Sequence, residues 1–197
     1  MQSTALRNLV EIRTGYPFRE RAERAAADGV GLVQMRDIDG ATGWVKRELD
    51  HVQPPANWQS HRLWVGDVVL AGRGERNFAA QFANDEDAVA ASHLLVLSVK
   101  GGALIPPFLA FFLNLPQTQE RLRALRSGSN IPFIPIDALG QMKIPVPSIE
   151  MQNHLVNLMQ LSEQEQQLMA QIQQKRRELM TAVYALLLER NETTTRE

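Results

Sequence analysis

The sequence predicts an α+β protein: a mixed domain of short strands and two helices, followed by one long C-terminal coiled-coil helix. Three observations predict it. Short apolar runs alternate with Gly- and Pro-marked turns over residues 1–147, the pattern of a small mixed-sheet domain. In Ile144-Pro145-Val146-Pro147-Ser148, the two prolines fix φ and hold the residues before them out of the helical region. Ser148 then serves as an N-cap, with Glu150 in the first turn where the helix dipole favours a negative charge. No Gly or Pro follows, so the helix is expected to continue to about Arg190, roughly 60 Å at 1.5 Å per residue. So small a domain cannot cover an arm of that length; something outside it must. The expected organisation is a domain over 1–147, a spacer and dimerisation helix over 148–190, and a disordered tail over 191–197.

Composition sets limits. The 197 residues suit one domain with an appendage, and 44% apolar content is enough for a core. The absence of cysteine excludes a disulfide framework and thiolate metal sites and fits a cytoplasmic setting. The N-terminus shows no signal-peptide pattern, and the most apolar stretch, 103–115, is too short and too interrupted by prolines for a membrane span. Residues 1–147 carry 16 Lys+Arg against 15 Asp+Glu, net +1, and 148–197 carry 5 against 7, net −2. Of the 21 cations 17 are Arg, whose planar fork pairs bidentately with phosphate or guanine. GC-rich coding produces the same bias, so composition alone leaves nucleic acid open.

Along the chain, Leu9-Val10-Glu11-Ile12-Arg13 alternates like a half-buried strand and stops at the turn Thr14-Gly15-Tyr16-Pro17. Residues 19–28 are charged and Ala-rich, a short exposed helix or loop. Residues 31–38 read as a strand with Gln34 and Arg36 on one face. Leu63-Trp64-Val65 and Val68-Val69-Leu70-Ala71 read as strand pieces around a tight Gly66-Asp67 turn, with 72–77 as a loop. The near-continuous apolar run 93–99 reads as a strand buried on both faces. Pro106-Pro107 open a helix, and a second, amphipathic helix spans about 117–126, ended by Ser127-Gly128-Ser129-Asn130. Phe133-Ile134-Pro135-Ile136 and Gln141-Met142-Lys143-Ile144 read as short strands.

In the arm, positions spaced alternately 3 and 4 apart are Leu158, Leu161, Glu165, Leu168, Ile172, Lys175, Leu179, Ala182 and Leu186. Seven of these nine are apolar, which makes a coiled-coil seam interrupted by one acid and one base. A parallel homodimer would set Glu165 against Glu165 and Lys175 against Lys175. An antiparallel homodimer centred near Ala170 pairs residues whose numbers sum to 340: Leu158 with Ala182, Leu161 with Leu179, Leu168 with Ile172, and Glu165 with Lys175. The same stripe also suits packing on its own domain or on a helix of another protein.

The order of features resembles the specificity subunit of type I restriction–modification systems. Gly66-Asp67-Val68-Val69-Leu70-Ala71 with Arg73-Gly74 resembles that family's Gly-Asp-hydrophobic strand and following loop. Gly128-Ser129-Asn130-Ile131-Pro132-Phe133-Ile134 resembles its Gly-Ser-rich segment, and Ile144 to Gln152 resembles its Ile-Pro-x-Pro-Pro-Leu-Glu-Glu-Gln lead into a helix. Here Ser148 replaces a proline, Ile149 a leucine and Met151 a glutamate. The resemblance implies a DNA target-recognition domain over 1–147 and a spacer helix on which methyltransferase subunits dock, joined by a restriction subunit. The family's full subunit carries two such domains and two helices packed antiparallel. This chain has one of each and reads as a half-subunit, which an antiparallel homodimer would complete on an inverted-repeat target.

No Walker loop, HExxH, Gly-x-Ser-x-Gly or methyltransferase-type motif occurs, so the chain reads as a non-enzyme without cofactor. His51, His61, His93 and His154 lack ligand spacing, and Asp85-Glu86-Asp87 reads as a solvated loop, so no metal is expected. Phe108, Phe111 and Phe112 lie at helical spacing and read as core. For double-stranded DNA, Arg73, Arg76 and Asn77 offer two forks and an amide, suited to guanine and adenine, although a solvent-exposed hairpin tip has the same composition. Arg126, Ser127, Ser129 and Asn130 form a small-residue turn that can approach phosphate, or simply a helix stop. Tyr16 and Arg19, and Gln34 and Arg36, complete the candidates. The alternative to DNA reading is an adaptor or decoy that binds methyltransferase subunits through the helix alone.

Overall fold

The computed structural model describes residues 3–18, 25, 29–54, 56–128 and 130–194, with side chains to residue 185. It resolves into two units, Met1–Asn157 and Leu158–Glu197. The α+β class and the long C-terminal helix are as the sequence predicts.

The domain is built on β2 (Val10–Thr14), β7 (Val68–Ala71) and β10 (Leu94–Val99). β10 runs antiparallel to both of the others, with Leu97 opposite Ile12 and Val68, and Leu95 opposite Thr14 and Leu70. β8 (Ala79–Gln81), β5 (Trp44–Val45) and β4 (Ile38–Asp39) extend it to the order β2-β10-β7-β8-β5-β4. Alternation along these strands divides the core. Val68, Leu70, Leu95 and Leu97 face α1 (Pro106–Asn114), α2 (Pro116–Ala124) and α3 (Ile136–Gln141) through Phe108, Leu109, Leu113, Leu122 and Leu139. Val69, Ala71, Leu94 and Val96 face a second small sheet of β6 (Asp50–Val52), β3 (Val30–Val33) and β9 (Ala88–Ala90). A strand covered on both faces is apolar throughout, which is why 94–97 shows no polar alternation. β1 (Ser3–Ala5) pairs antiparallel with β11 (Lys143–Pro145), tying the start of the domain to the segment before the last helix.

Several sequence expectations are corrected. The strand expected over 31–38 ends at Val33, so Gln34 and Arg36 do not share a strand face. The Asp37 carboxylate accepts the Gln34 N–H at 2.9 Å and bends Met35–Asp37 into a 3-10 turn. Leu63-Trp64-Val65 is not a strand. It is a turn in which Asp67, only 3% exposed, accepts the Trp64 N–H at 3.0 Å, the Ser98 hydroxyl at 2.6 Å and the Arg13 guanidinium at 3.2 Å. Gly66 sits at φ +98° to close that turn. The Gly-Asp motif is therefore structural. Phe133–Ile136 forms no strand, because Pro135 instead precedes a third helix, α3, with Asp137 in its first turn. In the last segment only Lys143–Pro145 is strand. α2 spans Pro116–Ala124, not 117–126.

The long helix α4 is Ile149–Thr194, capped by the Ser148 hydroxyl, which accepts the Met151 N–H at 3.3 Å. It runs past Arg190 to Thr194, and 195–197 lie outside the described residues. Its first turns belong to the domain unit. Gln152, fully buried, accepts the Ile105 N–H at 2.9 Å and donates to the carbonyls of Ala103 at 2.8 Å and Pro147 at 2.9 Å. Replacing Gln152 with Leu should lower stability by about 1–3 kcal/mol through the unpaired Ile105 N–H, read as a lower urea midpoint at unchanged slope.

Candidate nucleic-acid interface

Residues 72–78 join β7 to β8, and their shape is fixed before any ligand arrives. At Gly72 a Cβ would lie 2.8 Å from Leu95 Cγ, so only glycine leaves the sheet there, and Gly74 takes φ +92°. Asn77 is 1% exposed; its amide donates to the Ala71 carbonyl at 2.7 Å, and its Oδ1 accepts Arg126 Nε at 2.8 Å and Nη2 at 2.6 Å. Arg126 also donates to the Glu75 carbonyl, and Gln119 Nε2 donates to the Asn77 carbonyl at 2.8 Å. Asn114 completes the clamp by pairing with both the N–H (2.9 Å) and the carbonyl (2.7 Å) of Ala79.

The turn after α2 is fastened to the same loop. Ser127 and Phe133 exchange both backbone hydrogen bonds at 2.9 Å around Gly128 at φ +93°, the Gly74 N–H donates to the Pro132 carbonyl at 2.9 Å, and the Ile134 N–H to that of Gly72 at 2.9 Å. Two segments some fifty residues apart thus form one surface. Met35 joins it, its ε-methyl 3.9 Å from where a Gly74 Cβ would stand.

The fate of the expected site residues divides sharply. Arg73 and Arg76 are exposed, and among the described residues no carboxylate pairs with either. Ser127 and Asn130 are exposed beside them. Asn77 is buried with its side-chain amide spent inside the loop, and Arg126, half-buried, commits its Nε and Nη2 to the same loop. Arg36 pairs with Asp50 and lies 3.9 Å from Asp37, so its fork is not free, and Gln34 is half-buried at the same turn. Tyr16 packs edge-on against Phe18 (4.7 Å) and His61 (5.2 Å) and donates to the Ala56 carbonyl at 2.9 Å, a structural role. Arg19 and Ser129 lie outside the described residues. The acidic run is engaged as well: Glu86 with His51 at 2.9 Å and Asp87 with Arg62 at 2.8 Å.

Beneath Arg73 a cavity of about 250 Å³ is lined by Thr14, His93, Phe133 and Ile136 among others. Burial first, and the Arg73 charge second, push the His93 imidazole below its ordinary value, so Arg73 is the cation of this corner near neutral pH. Sequence reasoning missed the exposed Lys46 and Arg47 beside Arg36, and the exposed Trp64 with Arg62 4.5 Å above its ring. A single cation or aromatic in a turn carries no periodic signal that could have singled these out.

The arm residues Leu158, Leu161, Glu165, Leu168, Ile172, Lys175, Leu179 and Ala182 are all exposed in the single chain; the side chain of Leu186 lies outside the described residues. Among the described residues no helix is long and apolar enough to cross a membrane.

A short-stranded mixed domain with a clamped β7–β8 loop, continued by a long helix, defines a recognisable structural class. That class is the fold of type I restriction–modification specificity subunits. The HsdS subunit from Thermoanaerobacter tengcongensis matches with TM-score 0.61 at 16% identity, over 84% of this chain and 37% of that one. The type-I restriction-modification system S subunit from M. genitalium matches with TM-score 0.54 at 15% identity, over 80% and 37%. A structure addressing complex assembly and conformational transition of the type I R-M system matches with TM-score 0.62 at 15% identity, over 83% and 38%. The chain therefore spans less than two fifths of each of those chains. No family model matches the sequence, and no curated protein does.

The clamp and the tip should separate in stability measurements. Asn77→Ala should cost about 1–3 kcal/mol by stranding Arg126 and the Ala71 carbonyl. Arg73→Ala and Arg76→Ala should stay within about 0.5 kcal/mol of the parent in thermal or urea unfolding.

Proposed function

We propose that this chain is a sequence-specific DNA-recognition subunit of a type I restriction–modification system, directing partner methyltransferase and endonuclease subunits to a bipartite target. The observation that carries the reading is the clamped loop bearing Arg73 and Arg76, two guanidinium forks without a carboxylate partner among the described residues, on a fold shared with S subunits. A fork held by a rigid base contributes to base discrimination because little of its freedom is lost on contact. The chain itself catalyses nothing in this reading; its partners do the chemistry.

The arm supplies the second half-site by pairing antiparallel with a second copy. Flanking positions support the register that joins Glu165 to Lys175. In an antiparallel coil they meet like with like along each edge, which sets Met169 against Met169, Gln171 against Gln171, Ser162 against Arg176 and Gln164 against Glu178. None of these is a like-charge contact. Within one chain Lys175 holds Glu178 at 2.8 Å, an exposed pair that yields readily to a partner's Glu165. Two identical readers then imply an inverted-repeat target.

The near-neutral charge of the domain, net +1 over residues 1–147, is the one observation that favours an adaptor without DNA reading. Salt titration decides between them. Binding of the chain with its methyltransferase partner to duplex DNA should fall steeply with salt, and Arg76→Ala should cost about 1–3 kcal/mol on the preferred site and relax the preference at one base pair. A salt-insensitive association with duplex would favour the adaptor. For the arm, sedimentation equilibrium should show a dimer that Glu165→Lys weakens and that adding Lys175→Glu partly restores. A concentration-independent monomer excludes the twin.

A further inference from the structure

Around the Arg73–Arg76 tip the domain leaves large apolar side chains uncovered. Ile131 is 67% exposed, Phe133 42%, Met35 39% and Phe78 38%, whereas the neighbouring Ile134 is buried at 3%. Ile131 with Phe133, and Met35, come from two separate segments, yet the backbone holds both to the Arg73–Gly74 corner. Phe133 is bridged to Arg73 and Ser127, Pro132 accepts the Gly74 N–H, and Met35 reaches the Gly74 position, whereas Phe78 lies over Gly40. Isolated exposed apolar residues are ordinary, but a cluster of them beside cations that no carboxylate pairs among the described residues marks a contact surface.

A ligand that suits such a surface offers acceptors to the Arg73 and Arg76 forks and an apolar group beside them. Duplex DNA has one such group in its major groove, the C5-methyl of thymine, which 5-methylcytosine shares. We propose that Ile131, with Phe133 and Met35, packs against a pyrimidine C5-methyl next to the base pair read by the Arg73–Arg76 forks. This rests on the DNA reading above and adds a specificity element to it. Ile131 is the leading residue because it is the most exposed of the four and stands at the outer end of the turn that Ser127 and Phe133 close. The methyl removed from water is of the size whose burial changes affinity about fourfold.

The test uses the full chain with its methyltransferase partner and a duplex site selected from a random pool. Each thymine is replaced in turn by deoxyuridine, which removes only the methyl, and each cytosine by 5-methylcytosine, which adds one. We expect an about fourfold loss at one or two thymine positions, or an equal gain at a cytosine position if the methylated base is cytosine. Ile131→Ser should weaken binding to the methylated site by a similar factor and erase the difference between methylated and unmethylated bases. Its exposed position makes that variant neutral to folding, checked by an unchanged unfolding midpoint. Site-specific binding that ignores every methyl overturns the inference and leaves the DNA reading standing. Methyl discrimination that survives Ile131→Ser, with weakened capture of the methyltransferase, overturns it in favour of a protein contact. A complex with no site preference at all sinks both readings together.

Discussion

A sheet buried on both faces leaves its backbone no access to water, and the remaining architecture answers to that constraint. β7 and β10 lie between the helical layer and the small sheet, so every N–H and C=O where their neighbours stop must find a partner inside the protein. The strands are short, several only two or three residues, and their ladders run out early. Amide side chains take over where the ladders end. Asn114 pairs with both backbone groups of Ala79 as a further strand would, Asn77 closes on Ala71, Gln119 on Asn77, and Gln152 on Ile105, Ala103 and Pro147. An amide suits these places because its NH2 donates and its carbonyl accepts from two separate, fixed atoms, as Asn114 and Gln152 both do.

The same substitution of amide for ladder determines what the surface can do. Once Asn77 is spent on Ala71 and Arg126, it has nothing left to offer a ligand, but it fixes the path of the chain between Arg73 and Arg76. A fork on a mobile loop would lose much of its contact energy to ordering. A fork on a loop closed at Gly72, Gly74, Asn77 and Ala79 by hydrogen bonds from α1, α2 and the 127–134 turn has that ordering already in place. The buried amides and the exposed guanidiniums are two ends of one arrangement.

Legibility in the sequence follows the length and punctuation of each signal. β7, β10 and α1 were readable because each holds a run of four or more apolar residues, β2 because Val10 and Ile12 alternate with charged residues ahead of Gly15-Tyr16-Pro17, and α4 because Pro147-Ser148 starts it and nothing stops it. β4, β5, β8 and β9 were not, since two or three residues show no period. Residues 35–37 were misread because a period of two looks the same whether or not Asp37 bends back onto the Gln34 N–H. At the site, residue type was legible and partner was not. Asn77 and Arg126 have the chemistry of base readers, and only the fold reveals that they find each other 49 positions apart. Phe133 reads as a strand residue whose apolar character belongs inside, and Ile131 as part of the Gly-Ser-rich segment; beside the turn closed by Ser127 both are exposed.

The arm poses the opposite problem from the domain. There the backbone is satisfied throughout by the helix itself, and what lacks a partner is the apolar stripe. Leu158, Leu161, Leu168, Ile172 and Leu179 are each more than half exposed in the single chain, and helices of this kind draw most of their stability from the face they bury. The two charges in the stripe weaken any pairing that leaves them alone, so their value lies in excluding wrong registers, as polar seam residues do elsewhere. A twin that joins Glu165 to Lys175 would satisfy both at once. It would also make every loop residue act twice, because each substitution near Arg73 or Ile131 enters both half-sites. In such a symmetric reader, specificity changes by squares: a tenfold loss at one half-site becomes about a hundredfold loss on the whole target.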